Sequence, residues 1–427
     1  MIEKHLDAGK NMCGVPCVTF TSEKTIRVSR PSLSVAEDAL TLGAEISGGV
    51  KGRCFFSTPP ANRGFVDENS SDCFLMGMLF PAMAAGCDLV LDGCVSEKLL
   101  FRTRHFLIPM LAAFFEDELK PIAVRAESVR REAYDGADAV GTGLSGGVDS
   151  FHTIKEFYQD YQGPSADRVN TLLFFNVGSH GMGNDRTKLE WLERKFRERG
   201  KRMQLLADEL GLPLVAVNSN LHAFMRSGHL QTSDLASLAA ALFLGRKLRL
   251  YYLASAGFDY RSLMYAEGAH DHDIEKIDDF ILPHVCTESF SAMSGGAALT
   301  RTQKTESICS DALVQKYLDV CGNQNAVVGN CSGCFKCRRT MLTLDILGVL
   351  DKFGSVFDLK KFAGKERRRY VATLLNNRSC DPFLADICEL ARRKHYDLRR
   401  HTSLATRAYM RFTETALYAF LRKMLKK

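Results

Sequence analysis

Between residues 139 and 256, short apolar runs alternate with longer amphipathic stretches. The segments 139-AVGTGL-144, 169-VNTLLFFNV-177, 212-LPLVAVNS-219 and 249-RLYYLASA-256 are almost wholly apolar, as strands buried on both faces are. Helical spacing fills the gaps, from about Ser150, from about Lys188 to Leu210, and from about Asp234 to Leu248. Strands joined by helices of this length predict an α/β fold whose parallel sheet is covered on both sides. Ligands of such sheets bind beyond the carboxyl ends of the strands.

Residues 1–131 read as a smaller α/β unit. Strands are predicted at 24–29, 41–47, 52–58, 88–93 and 121–126, with helices near Phe74 to Ala85 and Glu97 to Leu119. Asp72 and Ser96 are the expected caps of the two helices. The pattern divides the chain into 1–131, 137–310, 311–358 and a helical tail at 359–427.

Charge separates the tail from the rest. Residues 359–427 hold 18 Lys and Arg against 6 Asp and Glu, a balance of +12, so the net +6 of the chain leaves −6 for the first 358 residues. The clusters 365-KERRRY-370, 392-RRKHYDLRR-400 and 422-RKMLKK-427 could meet nucleic-acid phosphates or an acidic protein partner. No run reaches the ~18 uncharged apolar residues of a membrane span, and 1-MIEKHLDAGKNMCGVPC-17 has no apolar leader. The expected location is the cytoplasm. A homodimer is compatible with the sequence, which does not specify the assembly.

At the end of the first apolar strand of the alternating region stands 145-SGGVDS-150. Paired glycines let successive N–H groups converge on an anion at the start of a helix. Ser145 and Ser150 add hydroxyl donors. No Gly-Lys-Ser/Thr follows, which excludes a Walker A loop. The competing reading is a plain strand-to-helix turn capped by Asp149 or Ser150.

The hexapeptide resembles the pyrophosphate loop of the N-type ATP pyrophosphatases, a superfamily with a doubly wound sheet. The resemblance implies that Ser145, Gly146, Gly147, Asp149 and Ser150 grip the pyrophosphate of ATP while its α-phosphorus is attacked. It also implies adenine contacts around Asn176, Val177 and Gly178. The stretch 299-LTRTQKTES-307 is similar to the family's late Lys-x-Glu element, which would bring Lys304, assisted by Arg301, to the phosphates.

Fourteen cysteines are many for this kind of chain. Cys321, Cys331, Cys334 and Cys337 fall in a C-x9-C-x2-C-x2-C pattern, the spacing of a closed, structural zinc site. Cys309 is a weaker substitute for Cys321, and Cys13 with Cys17 lack a second pair. Within the superfamily this cluster resembles that of 7-cyano-7-deazaguanine synthase, and the similarity spans about Val140 to Leu347. It implies ATP, Mg2+ and structural Zn2+. The implied reaction is adenylation of a deazaguanine-type carboxylate, pyrophosphate release and nitrogen transfer to give an amide or nitrile.

The substrate segment departs from that pattern. In 257-GFDYRSLMYAEGAHDHDIEKIDDF-280, Asp259, Tyr260 and Tyr265 match loosely, no Gly-Tyr-Pro-Asp is present, and His270-Asp271-His272-Asp273 stands there instead. His180 and Asp185 could approach the nucleotide from the loop after the second strand. Three alternatives stay open: joining of a base to a protein amine in a defence system, thiolation of tRNA, and a nucleotide sensor without turnover.

Overall fold

The computed structural model describes residues 18–180, 186–225, 227–257, 259–261, 273–323, 326, 328–378 and 381–413. One twelve-stranded sheet, more of its pairings parallel than antiparallel, runs through the α/β part of the chain. The predicted apolar strands form its first half: β8 (Ala139–Gly143), β9 (Thr171–Asn176), β10 (Leu214–Ser219) and β11 (Leu248–Ala254). The edge strand β12 (Ser291–Gly295) was not evident from the pattern. Their order is β12-β11-β8-β9-β10, all parallel.

The second half comes from the N-terminal segment. β5 (Val50–Thr58) lies antiparallel to β10, and β4 (Leu40–Gly48), β2 (Thr25–Val28), β6 (Asp88–Ser96) and β7 (Val124–Arg130) follow outward. The short strands β1 (Thr19–Phe20) and β3 (Ser32–Val35) pair with β5 and β4. The predicted boundary at 132–138 falls between β7 and β8, but the sheet is continuous across it. The seam between β5 and β10 is narrow, with two residue pairs in register, Asn218 with Ser57 and Ser219 with Phe56. Side chains extend it: Asn220 accepts from Phe55 N at 3.0 Å and donates to Arg53 O at 2.8 Å, and Thr58 Oγ1 donates to Ala216 O at 2.8 Å.

Alternation along β9 fills both faces. Leu172 and Phe174 point into one hydrophobic cluster and Leu173 into the other, which is why the strand reads as continuously apolar. On the first face, α1 (Asp72–Ala85) packs on α4 (His229–Phe243). Phe56 of β5 joins them, its ring 5.6 Å from that of Phe74 and 5.8 Å from that of Phe243. On the second face lie α2 (Val148–Ile154) and α3 (Arg186–Leu210).

Two helix predictions need correction. Asp72 does not cap α1 but is its first residue, and its carboxylate accepts from Ser96 N at 2.7 Å and pairs with Arg130 at 3.2 Å. Ser96 does cap its helix, accepting from Leu99 N. The helix expected over 97–119 ends earlier than expected and runs without interruption from Glu97 to Phe114, widened over Thr103–Leu107. Pro109 lacks the N–H that would continue the ladder there.

The basic tail is helical and packed against the domain rather than free over its described length. α7 (Arg367–Asn377) and α8 (Pro382–Arg393) bury Tyr370, Leu374, Leu384, Ile387 and Leu390 in the second cluster, and α9 (Leu404–Thr413) follows. Part of its charge is paired, Arg367 with Asp345 at 3.0 Å and Arg393 with Glu306 at 2.9 Å. Among the described residues no helix is long and apolar enough to cross a membrane.

Phe56 is fully buried where the two halves of the sheet meet. Phe56→Ala should lower unfolding stability by about 3–5 kcal/mol. Denaturant titration should show one displaced transition, since both halves share that core.

Candidate functional site

The SGGVDS turn leaves β8 and enters α2. Gly146 has φ +76°, a left-handed conformation that disfavours a side chain, and a Cβ there would sit 3.3 Å from Met203. The turn is tied down at both ends. Gly147 N donates to Ser145 Oγ at 3.2 Å, and Gly146 O accepts from Asp319 N at 2.7 Å. Gly147 occupies the N-cap position of α2, and Thr153 Oγ1 donates to Asp149 O at 2.9 Å.

The loop faces a cleft of about 660 Å³ at the carboxyl ends of β8, β9 and β11, within the size of ordinary ligand pockets. Ser145, Gly147, Asp149, Ser150, Gly178 and Arg301 line it. Asn176 is instead buried, donating to Asn218 at 2.7 Å, and Val177 sits in the first hydrophobic cluster. Asp259 and Tyr260 are outside the cleft lining, Tyr260 N donating to Ala297 O. Tyr265, His270, Asp271, His272 and Asp185 lie outside the described residues, as do Cys13 and Cys17.

Arg301 and Lys304 come from α5 (Arg301–Ile308), whose start is fixed by Thr300 and Gln303 in a reciprocal capping box. Thr302 N and Oγ1 both donate to Asp386 of the C-terminal α8, at 3.0 and 2.8 Å. Arg301 pairs with Asp149 at 3.0 Å and donates to Ala256 O. Lys304 is fully buried behind Asp149, 3.8 Å from its carboxylate, with its ammonium on Ser255 O at 2.6 Å. Burial lowers the Lys304 pKa, and Asp149 opposes that shift. Lys304 therefore acts on the cleft through Asp149 and the end of β11.

The sequence pattern did not reveal four further cations. Lys195 and Arg199 stand one turn apart on α3, Arg199 reaching Asp319 at 3.6 Å. Lys336 and Arg339 stand on α6 (Phe335–Ile346). The i, i+4 and i, i+3 spacings were the available signal, but on a charged helix they look like a solvated face. Against these cations, Arg301 included, the lining carries the carboxylates of Asp149 and Asp319. Burial, then Arg199 and Lys195, push the His180 pKa down to about 3. Burial and Arg301 push that of Arg339 down to about 10.

The cysteine cluster borders the same cleft, which Cys321 helps to line. The sulfurs of Cys321, Cys331, Cys334 and Cys337 all lie within 4.8 Å of one another. A tetrahedral zinc–thiolate site needs them about 3.8 Å apart, so the group could hold a metal such as zinc. Cys331 N donates to Cys321 Sγ at 3.4 Å and Cys334 N to Cys331 Sγ at 3.3 Å. Cys309 is not part of the group.

Comparison of the chain with protein-family models, with curated proteins and with solved structures finds no match.

His180 and the buried His222 carry a stability signature. Their pKa values fall to about 3 and about 4 from an ordinary 6.5, chiefly through burial. Between those values the unfolded chain binds more protons than the folded one. Stability is therefore complete above pH 6.5 and falls as pH drops, by up to about 1.4 kcal/mol per pH unit for each histidine. Thermal melts from pH 7 to 4.5 should show this decline, with a shallower slope in His222→Gln.

Proposed function

We propose that this chain is an ATP pyrophosphatase-type ligase, related in chemistry to 7-cyano-7-deazaguanine synthase. It would adenylate a carboxylate, release pyrophosphate and transfer nitrogen to the activated acid. The observation that carries this reading is the Ser145–Ser150 turn, which opens on a cleft lined by Lys195, Arg199, Arg301, Lys336 and Arg339. Such a lining suits a polyanion. In the strand order β12-β11-β8-β9-β10 the chain adds β9 and β10 on one side of β8 and then β11 and β12 on the other, and we take this half as a doubly wound sheet with its ligand at the switch point between β8 and β11.

In the proposed reaction the turn's N–H groups and the Ser145 and Ser150 hydroxyls hold the two departing phosphoryl groups. Arg301 neutralises charge as the bond to the α-phosphorus breaks, and Lys304, 3.8 Å behind Asp149, orients its carboxylate. Magnesium would accompany the phosphates and offset their charge. The four cysteines would hold a structural zinc, leaving no ligand position for substrate. The substrate is a deazaguanine-type acid, and ammonia is the simplest nitrogen donor.

With ATP, Mg2+, ammonium and 7-carboxy-7-deazaguanine, the protein should form AMP and pyrophosphate. ADP and phosphate would contradict the assignment. Asp149→Asn and Lys304→Met should each lower kcat/KM for AMP formation by about a hundredfold.

A second reading, a macromolecular acceptor such as tRNA, draws on one observation. A hollow of about 340 Å³ beside the start of α9 is lined by Arg367, Arg368, Arg400 and His401. If RNA docks there, Arg368→Glu with Arg400→Glu should abolish RNA retention and flatten its salt dependence while leaving AMP formation on the free acid unchanged. Equal retention by wild type and the double variant would exclude the hollow as the contact.

A further inference from the structure

Three of the four clustered cysteines fall within seven residues around the start of α6. Cys334 is its N-cap residue and Cys337 lies in its first turn. The next positions on that turn are Lys336, Arg339 and Thr340, and all three line the cleft. The thiols that gather a metal thus also set where these side chains begin.

Arg339 is 6% exposed, yet among the described residues no carboxylate or carbonyl accepts from it. Its guanidinium is held by rings, 4.5 Å from the centroid of Phe383 on α8 and 5.4 Å from that of Phe335. A buried cation without an anion is costly. Lys336, open to the cleft, likewise has no ion-pair partner among the described residues. Its stem lies against the loop that carries Cys321, with Gly322 placed so that a Cβ would come 3.4 Å from Lys336 Cδ. Both side chains line the same cleft as Ser145, Gly147, Asp149, Ser150 and Arg301, so they share it with the glycine turn.

We propose that Lys336 and Arg339 form a second anion subsite that holds the terminal phosphoryl groups of the nucleotide opposite the SGGVDS turn, and that metal in the cysteine cluster assembles it. The inference rests on the nucleotide reading above. It gives the metal a role in ligand affinity, transmitted through two side chains that the knuckle positions, with no substrate on the ion itself.

The test uses inorganic pyrophosphate as the probe, measured calorimetrically on zinc-loaded full-length protein. Lys336→Met and Arg339→Gln should each weaken pyrophosphate binding about tenfold, as loss of a charge-assisted contact does. Zinc content should stay the same, and Arg339→Lys should retain more affinity than Arg339→Gln. Chelating the zinc from wild type should weaken binding at least as much, and chelating it from the Lys336→Met, Arg339→Gln double variant should add little. Unchanged affinity in both single variants would overturn the subsite. Additive losses on chelation would overturn its dependence on the metal. If wild type binds neither pyrophosphate nor ATP, the nucleotide reading itself falls, and the subsite with it.

Discussion

Positive charge gathered in one partly enclosed cleft is the condition on which the rest of the molecule depends. Lys195, Arg199, Arg301, Lys336 and Arg339 come from three different helices, with Lys304 fully buried just behind them. Like charges brought together in a medium of reduced polarity repel one another. The fold offsets this only in part, through Asp149 and Asp319. Aromatic rings hold Arg339, and main-chain carbonyls hold Lys304 and Arg301. A ligand that brings several negative charges relieves that repulsion, and the turn at Gly146 offers it main-chain donors as well.

The architecture serves this arrangement. Helices α2, α3, α5 and α6 all reach the carboxyl ends of the parallel strands from the second face of the sheet, while α1 and α4 seal the first. The C-terminal helices contribute more than bulk. Asp386 receives two hydrogen bonds from Thr302 at the start of α5, and Phe383 lies over both Arg301 and Arg339. A segment whose composition reads as a basic appendage supports the cleft from behind.

Much of the frame was legible because buried parallel strands leave continuous apolar runs, and helices between them leave a 3.6-residue rhythm. Strand β12 was missed because Ser291, Ser294 and Gly295 dilute its apolar character. The widened turn at Thr103–Leu107 was missed because an apolar stripe persists through it. Of the candidate site, the four cysteines were legible from their spacing, whereas Arg301 and Lys304 were singled out only through the resemblance of their stretch to a family element. Asn176 and Val177 adjoin the cleft in sequence, but their side chains are buried, Asn176 on Asn218 and Val177 in the first hydrophobic cluster. Lys195, Arg199, Lys336 and Arg339 depend on which way a charged helix faces, and only packing decides that.

The seam between β5 and β10 has a consequence of its own. Main-chain pairing there covers two residues on each strand, and Asn220, Ser219 and Thr58 supply much of the remaining stitching with their side chains. Such a joint resists shear less than a full ladder would, so under mechanical load or slow proteolysis the protein should yield there first. The apolar core shared by Phe56, Phe74 and Phe243 then carries what the short ladder does not, and holds the cation-lined mouth to the N-terminal strands.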